Sequence, residues 1–76
     1  MNKVRRKELQ KVIDLLEQAR DLLENVRDDE QEAFDNMPES FQYSEKGETM
    51  EEYINTMDEL LDALDLDELQ DIAAGF

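Results

Sequence analysis

Between Asn2 and Met37 the chain contains neither glycine nor proline, and its apolar residues recur in alternating steps of three and four. Leu9, Val12, Leu16, Ala19, Leu23 and Val26, followed by Ala33 and Met37, form a heptad seam. Glu30 is the one seam position that is not apolar. The pattern commits this stretch to a single long helix, about 3–36. A second set, Val12, Leu15, Ala19, Leu22 and Val26, runs beside the first, with Ile13 on its flank. The stripe is therefore wider than a two-stranded seam, and a helix with so broad a face touches more than one neighbour. Asn36–Met37–Pro38 ends the helix, because the residue before proline is driven out of the α region.

Residues 37–47 read as the connection. Pro38 suits the first position of a helical turn, and the residues after it can continue for a turn or two. Phe41 and Tyr43 are expected to fold over the end of the core as a lid. A second helix, about 48–74, starts between Ser44 and Met50. Thr49–Met50–Glu51–Glu52 fits a capping box with Thr49 as N-cap. Ser44 is the earlier candidate and would put Gly47 in the first turn. Met50, Tyr53, Ile54, Met57, Leu60, Leu61 and Leu64 carry the apolar stripe onward. The phase then slips to Leu66, Leu69, Ile72, Ala73 and Phe76. The slip predicts either a continuous helix with a displaced stripe or a break near Asp65. Residues 73–76 are expected to fray or to dock as a tail.

The fold class that follows is all-α, with two long antiparallel helices forming a helical hairpin. At ~1.5 Å per residue the helices are roughly 50 and 40 Å long. Two helices cannot cover both broad stripes, and a lone hairpin of this size buries too little surface to offset chain entropy. The expected remedy is a homodimer forming a four-helix bundle. Its core and dimer stripe comprises Leu9, Val12, Leu16, Leu23, Val26, Ile54, Met57, Leu61 and Leu64.

Charge divides the chain into two parts. The 76 residues carry 22 acidic and 8 basic side chains, a net charge of −14. Residues 1–27 hold seven of the bases and five acids, whereas residues 28–76 hold Lys46 against seventeen acids. Lys3, Arg5, Arg6, Lys7 and Lys11 stand at a helix N-terminus, and Asp67, Glu68 and Asp71 near a helix C-terminus. The macrodipole disfavours both placements. An antiparallel hairpin is expected to bring the two clusters together so that they compensate. The opposite end is expected to be a concentrated negative pole.

The stretch Asp28–Gln42, followed by Ser44–Glu48 and Met50–Glu52, resembles a group of small, functionally uncharacterised acidic helical proteins encoded in bacterial and phage genomes. The resemblance covers roughly the middle third of the chain and the amphipathic character of both helices. It implies a bacterial or phage cytoplasmic protein with a defined turn at Asn36–Ser40, and it carries over no functional residues. Leu64–Asp65–Leu66–Asp67 departs from the more regular heptads of that group.

The side-chain inventory bears on chemistry. Without histidine or cysteine there is no histidine base, thiol nucleophile, disulfide or zinc-thiolate site. Carboxylate pairs such as Asp28/Asp29, Glu51/Glu52 and Asp58/Glu59 lie in charge runs, whereas acid–base work needs a carboxyl shifted by burial in a cleft. Asp65–Leu66–Asp67 begins like a calcium loop but lacks its glycine and closing spacing. No phosphate-binding glycine loop, signal-peptide core or membrane span is present. The expectation is a non-enzymatic protein without cofactor or metal, binding neither nucleic acid nor membrane directly.

Two interaction roles remain. In the first, the acidic surface binds and inhibits a basic nucleic-acid-binding partner, in the limit as a DNA mimic and in a phage as an anti-defence protein. B-DNA carries about one charge per 1.7 Å, so ~40 Å corresponds to roughly 24 phosphates. Glu48 to Asp71 supply ten acids, and a dimer twice that. The residues assigned to that surface are Asp28, Asp29, Glu32, Glu51, Glu52, Asp58, Glu59 and Asp62. In the second role, a structural or adaptor bundle binds a partner helix through its apolar stripe, and the charge serves only solubility.

Overall fold

Asn2 starts the first helix. Its backbone is extended and its side-chain Oδ1 accepts the Arg5 amide at 2.9 Å, a cap that contributes about 1 kcal/mol. The computed structural model describes residues 1–75, and Phe76, the last residue of the slipped stripe, lies outside them. Helix α1 spans Lys3–Asp35, α2 Glu39–Gln42, α3 Glu45–Ala63 and α4 Asp67–Ala73. No strand occurs among the described residues. The molecule is a rod of 57 × 15 × 13 Å. Helices α3 and α4 lie in file along α1, α3 against its C-terminal half and α4 against its N-terminal half.

The turn is built by local polar bonds. Gln42 Nε2 donates to the carbonyl of Phe34 at 3.1 Å, which also accepts the Met37 amide, and to that of Met37 at 3.2 Å. Ser44, the earlier of the two expected caps, starts α3. Its hydroxyl accepts the Gly47 amide at 3.3 Å and donates to the Phe41 carbonyl. Thr49 is one turn inside the helix, where its hydroxyl donates to the Glu45 carbonyl. Gly47 is buried in the first turn against the chain leaving α2. A Cβ there would fall 2.6 Å from the Phe41 carbonyl oxygen and closer still to that of Gln42.

Phe41 and Tyr43 do not form the expected lid. They are 58% and 78% exposed, because α2 is a single turn that directs them outward. Near the turn, Phe34 and Met37 are half-buried and Met50 is buried.

The second helix breaks. Residues 64–66 leave helical geometry, and Asp65 Oδ1 accepts the Asp67 amide at 3.0 Å to start α4. The break lets Leu66 turn inward, 5% exposed, which resolves the phase slip. Among the described residues the buried apolar side chains are Ile13, Met50, Ile54 and Leu66.

The inward seam of α1 is offset by one residue from the all-apolar one. Leu9, Leu16, Leu23 and Met37 belong to both. Between them the fold buries Ile13 fully and half-buries Arg27 and Phe34, while Val12, Ala19, Val26 and Ala33 remain exposed. Long basic side chains tolerate such positions because their alkyl stems pack while the charge reaches a partner.

Candidate interaction surface

The rod has two unlike sides. On one, α1 presents Arg20, Glu24, Arg27 and Asp28 across an open groove from Asp58, Leu61 and Asp62 of α3. Arg27 bridges the helices. Its Nε donates to Asp58 Oδ1 at 2.7 Å and its Nη2 to Asp58 Oδ2 at 3.4 Å, while Nη1 reaches Asp28 at 3.3 Å. The Asp58 hydrogen bond is the main cause that holds the Arg27 pKa above its ordinary value, opposed by desolvation.

The eight assigned acids do not form one patch. Asp28, Asp58 and Asp62 meet in the Arg27 groove. Glu51 borders a neighbouring depression with Gln31, Phe34, Ile54 and Asn55. Asp29 and Glu32 lie on exposed α1 surface, and Glu52 and Glu59 on exposed α3 surface. Glu45, Glu52 and Glu59 recur every seven residues, as do Glu51 and Asp58. On a helix such residues fall in near-parallel rows. Helix α3 therefore carries two acid rows along its length. Among the described residues no three carboxylates converge as a metal site.

The expected compensation between the N-terminal bases and the C-terminal acids is not made by ion pairs. Arg27 holds both salt bridges found among the described residues. Helix α4 does lie along the N-terminal half of α1, but the direct polar link is Gln70 to Glu17 at 3.0 Å. Arg6 leans toward Gly75, and its Nε is buried without a hydrogen-bond partner among the described residues. The cause is geometric. The break at 64–66 restarts α4 in a new phase, which turns Asp67, Glu68 and Asp71 to solvent.

The other side of the rod is apolar. Val12, Leu15, Leu22 and Val26 are 46–66% exposed, and Ala19 is exposed among them. One turn beyond Val26, Glu30 joins Tyr53, Thr56 and Met57 around an open, largely apolar groove. The α1 stripe thus continues onto α3, where Tyr53 and Leu60 are also more than half exposed. Of the residues assigned to the core and dimer stripe, Ile54 is buried. Leu9, Leu16, Leu23, Met57, Leu61 and Leu64 are half-buried, and Val12 and Val26 are exposed in the single chain.

The sequence reading missed the Arg27–Asp58 bridge. Its signal was an arginine one position away from a heptad seam, with an acid an equal distance beyond the turn. No helix among the described residues is long and apolar enough to cross a membrane. No family model matches the chain, and neither curated proteins nor solved structures give a match.

Proposed function

We propose that the protein is a non-catalytic acidic interaction module that binds a basic, nucleic-acid-binding protein and inhibits it by occupying the surface that protein offers to nucleic acid. The observation that carries this reading is the lack of internal neutralisation. Among the described residues Arg27 is the base that forms salt bridges, and residues 28–75 otherwise hold Lys46 against seventeen acids. Solubility of a small domain is served by a net charge of about 2–8, well below the −14 present here.

The spacing supports the same reading. Helix α3 is ~28 Å long, over which B-DNA presents roughly 17 charges. It carries seven acids, so two copies side by side approach the density of DNA. A homodimeric four-helix bundle is accordingly part of the proposal. In a phage, the target of such a surface would be a DNA-binding host factor.

The test is retention of proteins from a bacterial lysate on the immobilised chain, followed by a salt gradient and competition with duplex DNA. Basic DNA-binding proteins should elute at moderate salt, since screening shortens the Debye length to ~8 Å at 0.15 M. Duplex DNA should release the same proteins. Retention that ignores both salt and DNA would favour the adaptor reading, for which the exposed apolar stripe is the supporting observation.

A further inference from the structure

The apolar side and the charge pattern of α1 together specify its occupant. The outward stripe Val12, Leu15, Ala19, Leu22, Val26 keeps heptad spacing and stands roughly 95° around α1 from its buried seam. The hairpin partner does not cover it. Side chains of residues 1–11 sum to +4 and those of residues 21–35 to −6. None of the five N-terminal bases forms an ion pair within the chain among the described residues.

We propose that this side is covered by a second copy of the same chain, with the two α1 helices antiparallel. This inference rests on the dimeric reading above and not on the identity of any basic partner. In that orientation the +4 end of each α1 lies beside the −6 end of the other. A parallel pairing sets like against like at both ends. With −14 on each chain, only the antiparallel arrangement offsets the repulsion where the helices touch. The area is adequate as well. With Val12 opposite the partner's Leu22, residues 3–31 overlap over ~43 Å of helix, and at the rod's 15 Å width this offers roughly 650 Å² per partner, within the ~600–1,000 Å² of a specific interface.

Heptad layering also fixes the register. Placing Val12 opposite the partner's Leu22 sets Leu15 opposite the partner's Ala19 and Arg5 opposite the partner's Asp29. The next compatible register would bury Val12 against the partner's Asp29 and leave Arg5 without an acid. Each register leaves one valine of the stripe against an acid, Val26 against the partner's Glu8 in the first and Val12 against the partner's Asp29 in the second, so the Arg5–Asp29 pairing decides for the first. Each basic arm is then covered by the partner, and the bundle's outer surface is left acidic.

The chain has no cysteine, so engineered thiols report without background. Arg5→Cys and Asp29→Cys, both at exposed positions, are oxidised separately and as an equimolar mixture. The mixture should form a covalent heterodimer on a non-reducing gel, and each variant alone should stay uncrosslinked. Introducing Leu22→Glu into both variants should abolish the crosslink. Self-crosslinking of Arg5→Cys would overturn the orientation, and a crosslink indifferent to Leu22→Glu would overturn the interface. Sedimentation equilibrium of the unmodified chain, showing a folded monomer at micromolar concentration, would overturn the dimer itself. None of these readouts involves a basic partner, so failure here is distinct from failure of the acidic-surface reading.

Discussion

Replacing Gly47 with alanine tests the turn that sets α3 against α1, and the expected sign runs against the general rule. Within a helix Gly→Ala ordinarily stabilises by about 0.8–1 kcal/mol through backbone entropy. Here the new Cβ would lie 2.6 Å from the Phe41 carbonyl oxygen. Ordinary contact begins near 3.4 Å, so the chain leaving α2 must retreat by about 0.8 Å or more. That chain also carries Gln42, whose two hydrogen bonds close the end of α1. Overpacking of this kind costs about 1–3 kcal/mol. The Gln42 carbonyl oxygen lies closer still, so the upper part of that range, about 2–3 kcal/mol, applies, and after the propensity gain the net destabilisation is about 1–2 kcal/mol. A domain of this length has a total stability of roughly 4–11 kcal/mol, and Tm moves by about 4–8 °C per kcal/mol. Gly47→Ala should therefore lower Tm by about 5–15 °C in a circular-dichroism melt. Asn55→Ala, at an exposed site in the same helix, should leave Tm level or raise it slightly. A Gly47→Ala protein melting at or above the parent would refute the close approach.

Four further outcomes follow from the same structure. Ile13→Ala removes a fully buried side chain and should cost ~2–5 kcal/mol in urea unfolding; a loss below 1 kcal/mol would mean that the inward seam is misassigned. Arg27→Ala and Asp58→Ala should show coupling in a double-mutant cycle that fades as salt is added, and zero coupling at low salt would contradict the register of α3 on α1. Phe41→Ser and Tyr43→Ser should each change stability by no more than about 0.5 kcal/mol, whereas a lid would lose far more. Raising ionic strength from ~0.01 to ~0.15 M shortens the Debye length from ~30 to ~8 Å. It should raise Tm by relieving repulsion among the acids, and a falling Tm would show that attractive pairs dominate.

The two-helix plan, the turn at Pro38 and the disturbance near Asp65 were legible from periodicity and from the chain's single proline. The choice between adjacent seams was not. Val12, Ala19 and Val26 make an all-apolar heptad, yet the chain turns Ile13 and Arg27 inward instead. Apolarity ranks those two seams wrongly because Arg27 packs by its stem and is satisfied by Asp58, a partner 31 residues away. The outward aim of Phe41 and Tyr43 was equally hidden, since it depends on α2 ending after one turn. The assigned acids are exposed, apart from Asp58, which is half-buried at its bridge. Their division among several faces depends on helix phase, which charge counts do not contain.

The turn also bears on the order in which the chain organises itself. Every bond that closes it joins residues no more than eight positions apart, from Phe34 to Gln42 and from Phe41 through Ser44 to Gly47. Loop closure is cheap at that separation, and low contact order favours fast formation. The two long elements can therefore zip from this end, with Arg27 and Asp58 meeting next and Glu17 and Gln70 last. Helix α4, seven residues long and restarted after a break, completes the sequence and is the first segment to open when it reverses.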